Sequence, residues 1–70
     1  MNKKKSDKQI GGSHYQSMAI QPIEYIVANR FEFPEGCVIK YVSRHQFKNG
    51  KEDILKAIQN LEFILERDYD

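Results

Sequence analysis

A single cysteine, Cys37, is all the thiol chemistry this chain possesses. One cysteine excludes an internal disulfide, and a lone thiol suits a reducing cytoplasm. Zinc-type ligand sets are missing too. His14 and His45 are far apart, and no Cys-x-x-Cys or His-x-x-x-His spacing occurs. No apolar run approaches the roughly 18 residues of a membrane span. The opening MNKKKSDKQIGG is basic but leads into no apolar stretch, so it does not read as a secretory signal. A phosphate-cradling loop of the G-x-x-x-x-G-K-S/T type is also lacking. Neither charge sign dominates: the formal net charge is +1, which demands neither nucleic acid nor an anionic membrane as partner. These absences leave a cytoplasmic protein as the expectation. Seventy residues make one domain at most, and a core that small is marginal without help. With disulfide and metal set aside, self-association is the expected help, and a homo-oligomer follows.

The even charge total conceals an uneven distribution. Lys3, Lys4, Lys5 and Lys8 crowd the start against Asp7, while Glu62, Glu66, Asp68 and Asp70 crowd the end against Arg67. Residues 1–12 are polar, close on Gly11-Gly12 and read as a flexible tail. Residues 13–70 read as a single helical domain. After an irregular lead-in, a first helix is expected from Pro22, whose missing N–H costs nothing at the first helical position. Ile20 and Tyr25 are spaced for a hydrophobic staple across its start. Ile23, Ile26 and Val27 form its apolar stripe, and it should end near Arg30, ahead of Pro34. Pro34 should open a second helix, with Val38, Ile39, Tyr41 and Val42 on its apolar side. Gly36 lies in its first turn, where it permits close approach of a neighbour or a ligand. Asn49-Gly50 stops that helix, since glycine takes left-handed geometry without strain. The third helix is expected from Lys51 to about Asp68. Its stripe of Ile54, Ala57, Ile58, Leu61, Ile64 and Leu65 is the strongest periodic pattern in the chain. Glu52 and Lys56 form an i,i+4 pair, and Glu52 and Asp53 suit the positive end of the helix dipole. The architecture is therefore all-α, a compact three-helix domain.

Several residues stand off this expected core. Lys40, Arg44 and Lys48, four apart, spread over about 80° of the second helix, opposite the arc of Val38, Ile39 and Val42. They form either a solvated basic face or an anion site, in which arginine offers a planar fork and lysine a mobile point charge. A row this short matches a nucleotide-sized ligand better than a long polyanion. His14 and Tyr15 follow the Gly-Gly step. They either fold back to cap the bundle, or stack on a base while His14 bonds a phosphate or ribose. Phe47 and Phe63 fall outside the main apolar faces and, with Phe31 and Phe33, are candidates for a subunit interface. Glu62 and Glu66 are an i,i+4 acid pair, but magnesium takes convergent carboxylates from more than one element, and the second helix offers only Glu35. Cys37 reads as a buried, inert thiol. Nothing else resembles an activated nucleophile.

The order of motifs resembles the SaV-like family of small tailed-phage proteins. The residues that carry the resemblance are His14-Tyr15, Gln21-Pro22-x-Glu24, Gly36, Lys40-Tyr41, Arg44, Lys48, Gly50, Asp53-Ile54 and Lys56-Ala57, across residues 13–66. A larger member of that group is assigned a nucleotide kinase activity without a Walker loop. Another is linked to sensitivity to a host abortive-infection system. The resemblance implies a phage or prophage source, a bacterial host cytoplasm, and nucleotide-facing roles for His14, Tyr15, Lys40, Arg44 and Lys48. Four functions stand in order. The first is a nucleotide-binding protein that sequesters a nucleotide or cyclic-nucleotide signal of host defence in pockets at subunit interfaces. The second is a small nucleotide kinase or phosphotransferase, the one reading that needs Mg²⁺ as cofactor. The third is a module binding a host defence protein through its aromatics. DNA binding ranks last, because the third helix would bring Glu52, Asp53, Glu62, Glu66 and Asp68 to the duplex. Without a convincing catalytic set, binding ranks above turnover.

Overall fold

The computed structural model describes residues 18–69. Three α-helices follow one another, α1 (Pro22–Ala28), α2 (Phe33–Arg44) and α3 (Lys51–Tyr69), and a 3₁₀ turn at His45–Phe47 joins the last two. The described residues contain no strand. The all-α expectation holds. None of these helices is long and apolar enough to cross a membrane.

Each boundary has a local cause. Pro22 sits at the start of α1, and the Gln21 carbonyl accepts the N–H groups of Glu24 (3.0 Å) and Tyr25 (3.1 Å). At the far end, Arg30 donates its N–H to the Val27 carbonyl and Phe31 donates to the Ile26 carbonyl, both at 3.1 Å. This paired closure needs a left-handed residue, and Arg30 supplies it at φ 59°. A side chain there costs about 1–2 kcal/mol that glycine would not. Ile20 and Tyr25, spaced for a staple, are both exposed; the Tyr25 ring instead meets Phe31 at 5.7 Å between centroids.

The second helix starts one residue earlier than the proline suggests, at Phe33, with Glu32 as its extended N-cap (ψ 174°) and Pro34 in the first turn, where its missing N–H costs nothing. It also ends earlier, at Arg44. There the chain tightens into the 3₁₀ turn, and Lys48 departs from helical geometry altogether (φ −130°, ψ −100°). Gly50, at φ 55°, closes the corner by donating its N–H to the His45 carbonyl at 2.9 Å. The 19-residue α3 then runs back along α2.

The α2–α3 hairpin is antiparallel and pinned at both ends. Arg44 meets Asp53 at one end, and Arg67 meets Glu32 and Glu35 at the other. The short α1 rests on Gly36, where an added Cβ would stand 3.1 Å from Ile26 Cγ2. Gly36 is therefore the seat of α1, the close approach that the sequence suggested. Buried side chains are few: Pro22, Cys37, Asp53 and Ala57. Ile54 and Ile64 are half-buried, but Ile58, Leu61 and Leu65 of the expected core stripe are exposed. Two layers of short helix cover only one side of α3, so the stripe is wider than what the fold can cover.

Relieving the strained corner should strengthen the fold: Arg30→Gly is expected to raise unfolding stability by roughly 0.5–1 kcal/mol. Gly50→Ala is expected to lower it by about 1–2 kcal/mol. Urea denaturation of both variants checks the pair. An unchanged midpoint in either would mean that the corner relaxes without strain.

Candidate functional site

The α2–α3 corner builds the site from the inside outward. Asp53 occupies the first turn of α3 and is fully buried. Its Oδ2 accepts the Asn49 backbone N–H at 3.2 Å, and its Oδ1 faces Arg44 Nη2 at 3.4 Å. An acidic side chain three residues into a helix commonly reaches back to the entering backbone. Here it reaches one residue further, to Asn49, and so ties the turn as well as the helix start. Burial pushes the Asp53 pKa up, but the Asn49 N–H and the Arg44 guanidinium outweigh it and hold the group below its ordinary value.

Above this buried pair lies the Tyr41 ring, surrounded by cations. Arg44 stands 5.1 Å from its centroid, Lys40 5.6 Å and Lys56 5.8 Å. Each lies within the roughly 6 Å reach of a cation–π contact. The three differ in how their charge is met. Arg44, its side chain 17% exposed, is matched by Asp53. Lys56 has Glu52 at 3.8 Å. Lys40 is exposed and has no carboxylate within ion-pair distance among the described residues. The cluster is thus a basic surface with an aromatic floor, one cation fixed and two mobile.

Two further features share this side of the hairpin. A cavity of about 600 Å³ is lined by Phe33, Pro34, Gln59, Asn60, Phe63 and Arg67. On α3, Asn60 and Phe63 follow Lys56 at four- and seven-residue spacing, so all three belong to one helix face. A smaller cavity of about 190 Å³ opens between α1 and α2, with Ile26, Gly36 and Lys40 in its wall. At the far end of the hairpin, the Arg67 hydrogen bond holds Glu35 and Asp68 below their ordinary values. Among the described residues no group of three or more His, Cys, Asp or Glu side chains converges.

The basic row read from the sequence is divided here. Lys40 and Arg44 share the Tyr41 site, whereas Lys48 lies beyond the end of α2 and off its helical face. Arg44 is not on a solvated arc; it turns inward to α3. His14 and Tyr15 lie outside the described residues. Phe47 and Phe63 are both exposed. Sequence reasoning overlooked Tyr41, Lys56 and Asp53 as members of one cluster. Wheels drawn one helix at a time cannot show that α3 brings Lys56 to Tyr41. An Asn-Gly stop followed by an acid in the next helical turn was the available signal for Asp53.

The model of a family described as protein of unknown function, DUF3310, matches residues 4–62. No curated protein and no solved structure matches the chain.

Asp53 and Glu35 both titrate lower when folded than when unfolded, so they contribute stability above the ordinary carboxylate range and lose it as pH falls. Thermal stability is therefore expected to hold down to about pH 5 and drop below about pH 4. Asp53→Asn is expected to lower Tm at pH 7 by on the order of 10 °C and to make the acid drop shallower. Circular dichroism melts from pH 3 to 8 check this, and parallel profiles for the two proteins would refute the assignment.

Proposed function

The chain belongs to the DUF3310 family of proteins of unknown function, and within it we propose a nucleotide-binding role, carried by an assembly of identical subunits. The observation that carries the reading is the gathering of Lys40, Arg44 and Lys56 around Tyr41. Phosphate is the natural counter-ion for such a group. Arg44 is held in place by Asp53 and offers a preorganised donor, while Lys40 and Lys56 can swing to meet different phosphate positions. Preorganised contacts favour tight capture because less ordering is required on binding.

The cavity beside Phe63 gives the ligand a second end. Lys56 and Phe63 are seven residues apart, a rise of about 10 Å along α3. That separation suits a phosphate at the cations and a base against the aromatic wall, where the Gln59 and Asn60 amides can meet base edges. His14, Tyr15 and Lys48 join this reading as candidates from the sequence. Phe63 serves it as the wall of that cavity, and Phe47 stays a candidate contact between subunits. The resemblance to small tailed-phage proteins extends the proposal: the ligand is a nucleotide or cyclic-nucleotide signal of host defence, sequestered in the cytoplasm rather than turned over.

A thermal-shift screen against mononucleotides, dinucleotides and cyclic oligonucleotides, each with and without Mg²⁺, tests the role. A ligand at a hundredfold excess over its Kd stabilises the fold by about 2.7 kcal/mol, a Tm rise of roughly 10 °C or more for a domain this small. The rise is expected to vanish in Lys40→Ala/Lys56→Ala, two exposed or half-buried lysines whose loss leaves the Asp53–Arg44 corner intact. If every nucleotide leaves Tm unchanged, or the double variant responds like the parent, the role is wrong. Consumption of a bound nucleotide with Mg²⁺ would replace capture by phosphoryl transfer.

A further inference from the structure

Four apolar residues of α3, Ile54, Ile58, Leu61 and Leu65, recur at alternating steps of four, three and four. That rhythm is the signature of a helix that pairs along a seam. Among the described residues, only Ile54 of the four is half-buried. Packing against α2 buries the adjoining flank, at Asp53 and Ala57, and leaves Ile58 44%, Leu61 47% and Leu65 59% exposed. Leu55 and Tyr69 extend the same exposed surface. Lys56, which belongs to the Tyr41 cluster, lies about 140° around the helix from Leu61. The seam and the cationic site are therefore on different faces of α3.

We propose that this strip is where two copies of the chain pair, α3 against α3, in antiparallel orientation. The inference rests on the self-association within the functional reading and is independent of the ligand. Charge selects the orientation. The second half of α3 carries Glu62, Glu66 and Asp68 against Arg67, whereas the first half is balanced, Lys51 and Lys56 against Glu52 and Asp53. Parallel pairing would set each acid beside its own copy. Antiparallel pairing with Ile58 opposite Leu61 of the second copy also sets Ile54 opposite Leu65 and Lys51 opposite Asp68. The helix dipoles then oppose as well. At roughly 100 Å² for each half-exposed aliphatic side chain, the strip supplies about half of the ~800 Å² per partner of a standard stable interface, and its flanks, Leu55 and Tyr69 among them, must supply the rest. The strip is self-complementary along its length, which is what a two-fold contact requires.

Sedimentation equilibrium of the full chain tests the pairing. The parent is expected to be a dimer or a multiple of one at micromolar concentration. Leu61→Glu, at an exposed position of α3, is expected to weaken association, raising Kd by at least a hundredfold, while keeping its helical circular dichroism. Phe63→Glu is expected to leave the pair intact. Assembly that survives Leu61→Glu but is lost in Phe63→Glu would overturn the α3 seam and leave the oligomeric reading standing. A parent monomeric at 200 µM would overturn both, and nucleotide binding would still be judged by its own thermal shift. Orientation has a separate readout. In a Cys37→Ser background, Lys51→Cys is expected not to oxidise to a disulfide-linked dimer, since antiparallel pairing keeps the two positions about 25 Å apart. Rapid cross-linking would overturn the orientation.

Discussion

The buried Asp53 carboxylate holds the corner on which the other elements depend. It joins three pieces of chain that have little else in common: the end of α2 through Arg44, the turn through the Asn49 N–H, and the start of α3, where it resides. A buried carboxylate is costly unless paired and hydrogen-bonded, and Asp53 has both kinds of partner. The same contact sets the direction of the Arg44 side chain, and with it the distance from Arg44 to Tyr41. The fold's corner and the candidate site thus share one anchor. A change at Asp53 is felt in both.

From that corner the hairpin divides its surfaces. One side gathers cations around an aromatic ring and continues into a cavity with two phenylalanines in its wall. The adjoining flank of α3 packs on α2, and the next one carries aliphatic side chains into solvent. A 19-residue helix has room for three such faces, and among the described residues α2 packs on one of them. The cationic site and the aliphatic strip therefore draw on different residues of α3. Arg67 closes the opposite end of the hairpin against Glu32 and Glu35, so α3 is held straight between two ionic contacts and presents both faces in fixed register.

Much of the architecture was legible before any coordinates. Pro22, Gly36 and Gly50 are positions where backbone geometry permits few alternatives: Pro22 opens α1 as read, Gly36 seats α1, and Gly50 takes the left-handed geometry expected of it although α2 has already ended at Arg44. The Glu52–Lys56 pair also stands where i,i+4 spacing puts it. Less legible was the end of α2. Helical periodicity runs through Lys48, but the Asn49 N–H is drawn to a side chain four residues ahead, and the chain tightens before it reaches Asn49. Periodicity also overstated the core, because it reports which face of a helix is apolar and not whether that face finds cover within the same chain. Of the candidate site, Lys40 and Arg44 were visible as a pair. Their meeting with Lys56 depends on how far α3 slides along α2, which is a property of packing between helices and leaves no trace in either helix alone.

The scarcity of buried apolar side chains also governs how the molecule responds to heat. Heat-capacity change and denaturant sensitivity both scale with the surface newly exposed on unfolding. With few apolar side chains buried among the described residues, Cys37 and Ala57 foremost, a single subunit has little such surface to give. A lone subunit is accordingly expected to have a shallow stability curve, a broad melt and a weak dependence on urea. Covering the aliphatic face of α3 would sharpen both, so the steepness of unfolding becomes a gauge of how much of that face is in contact.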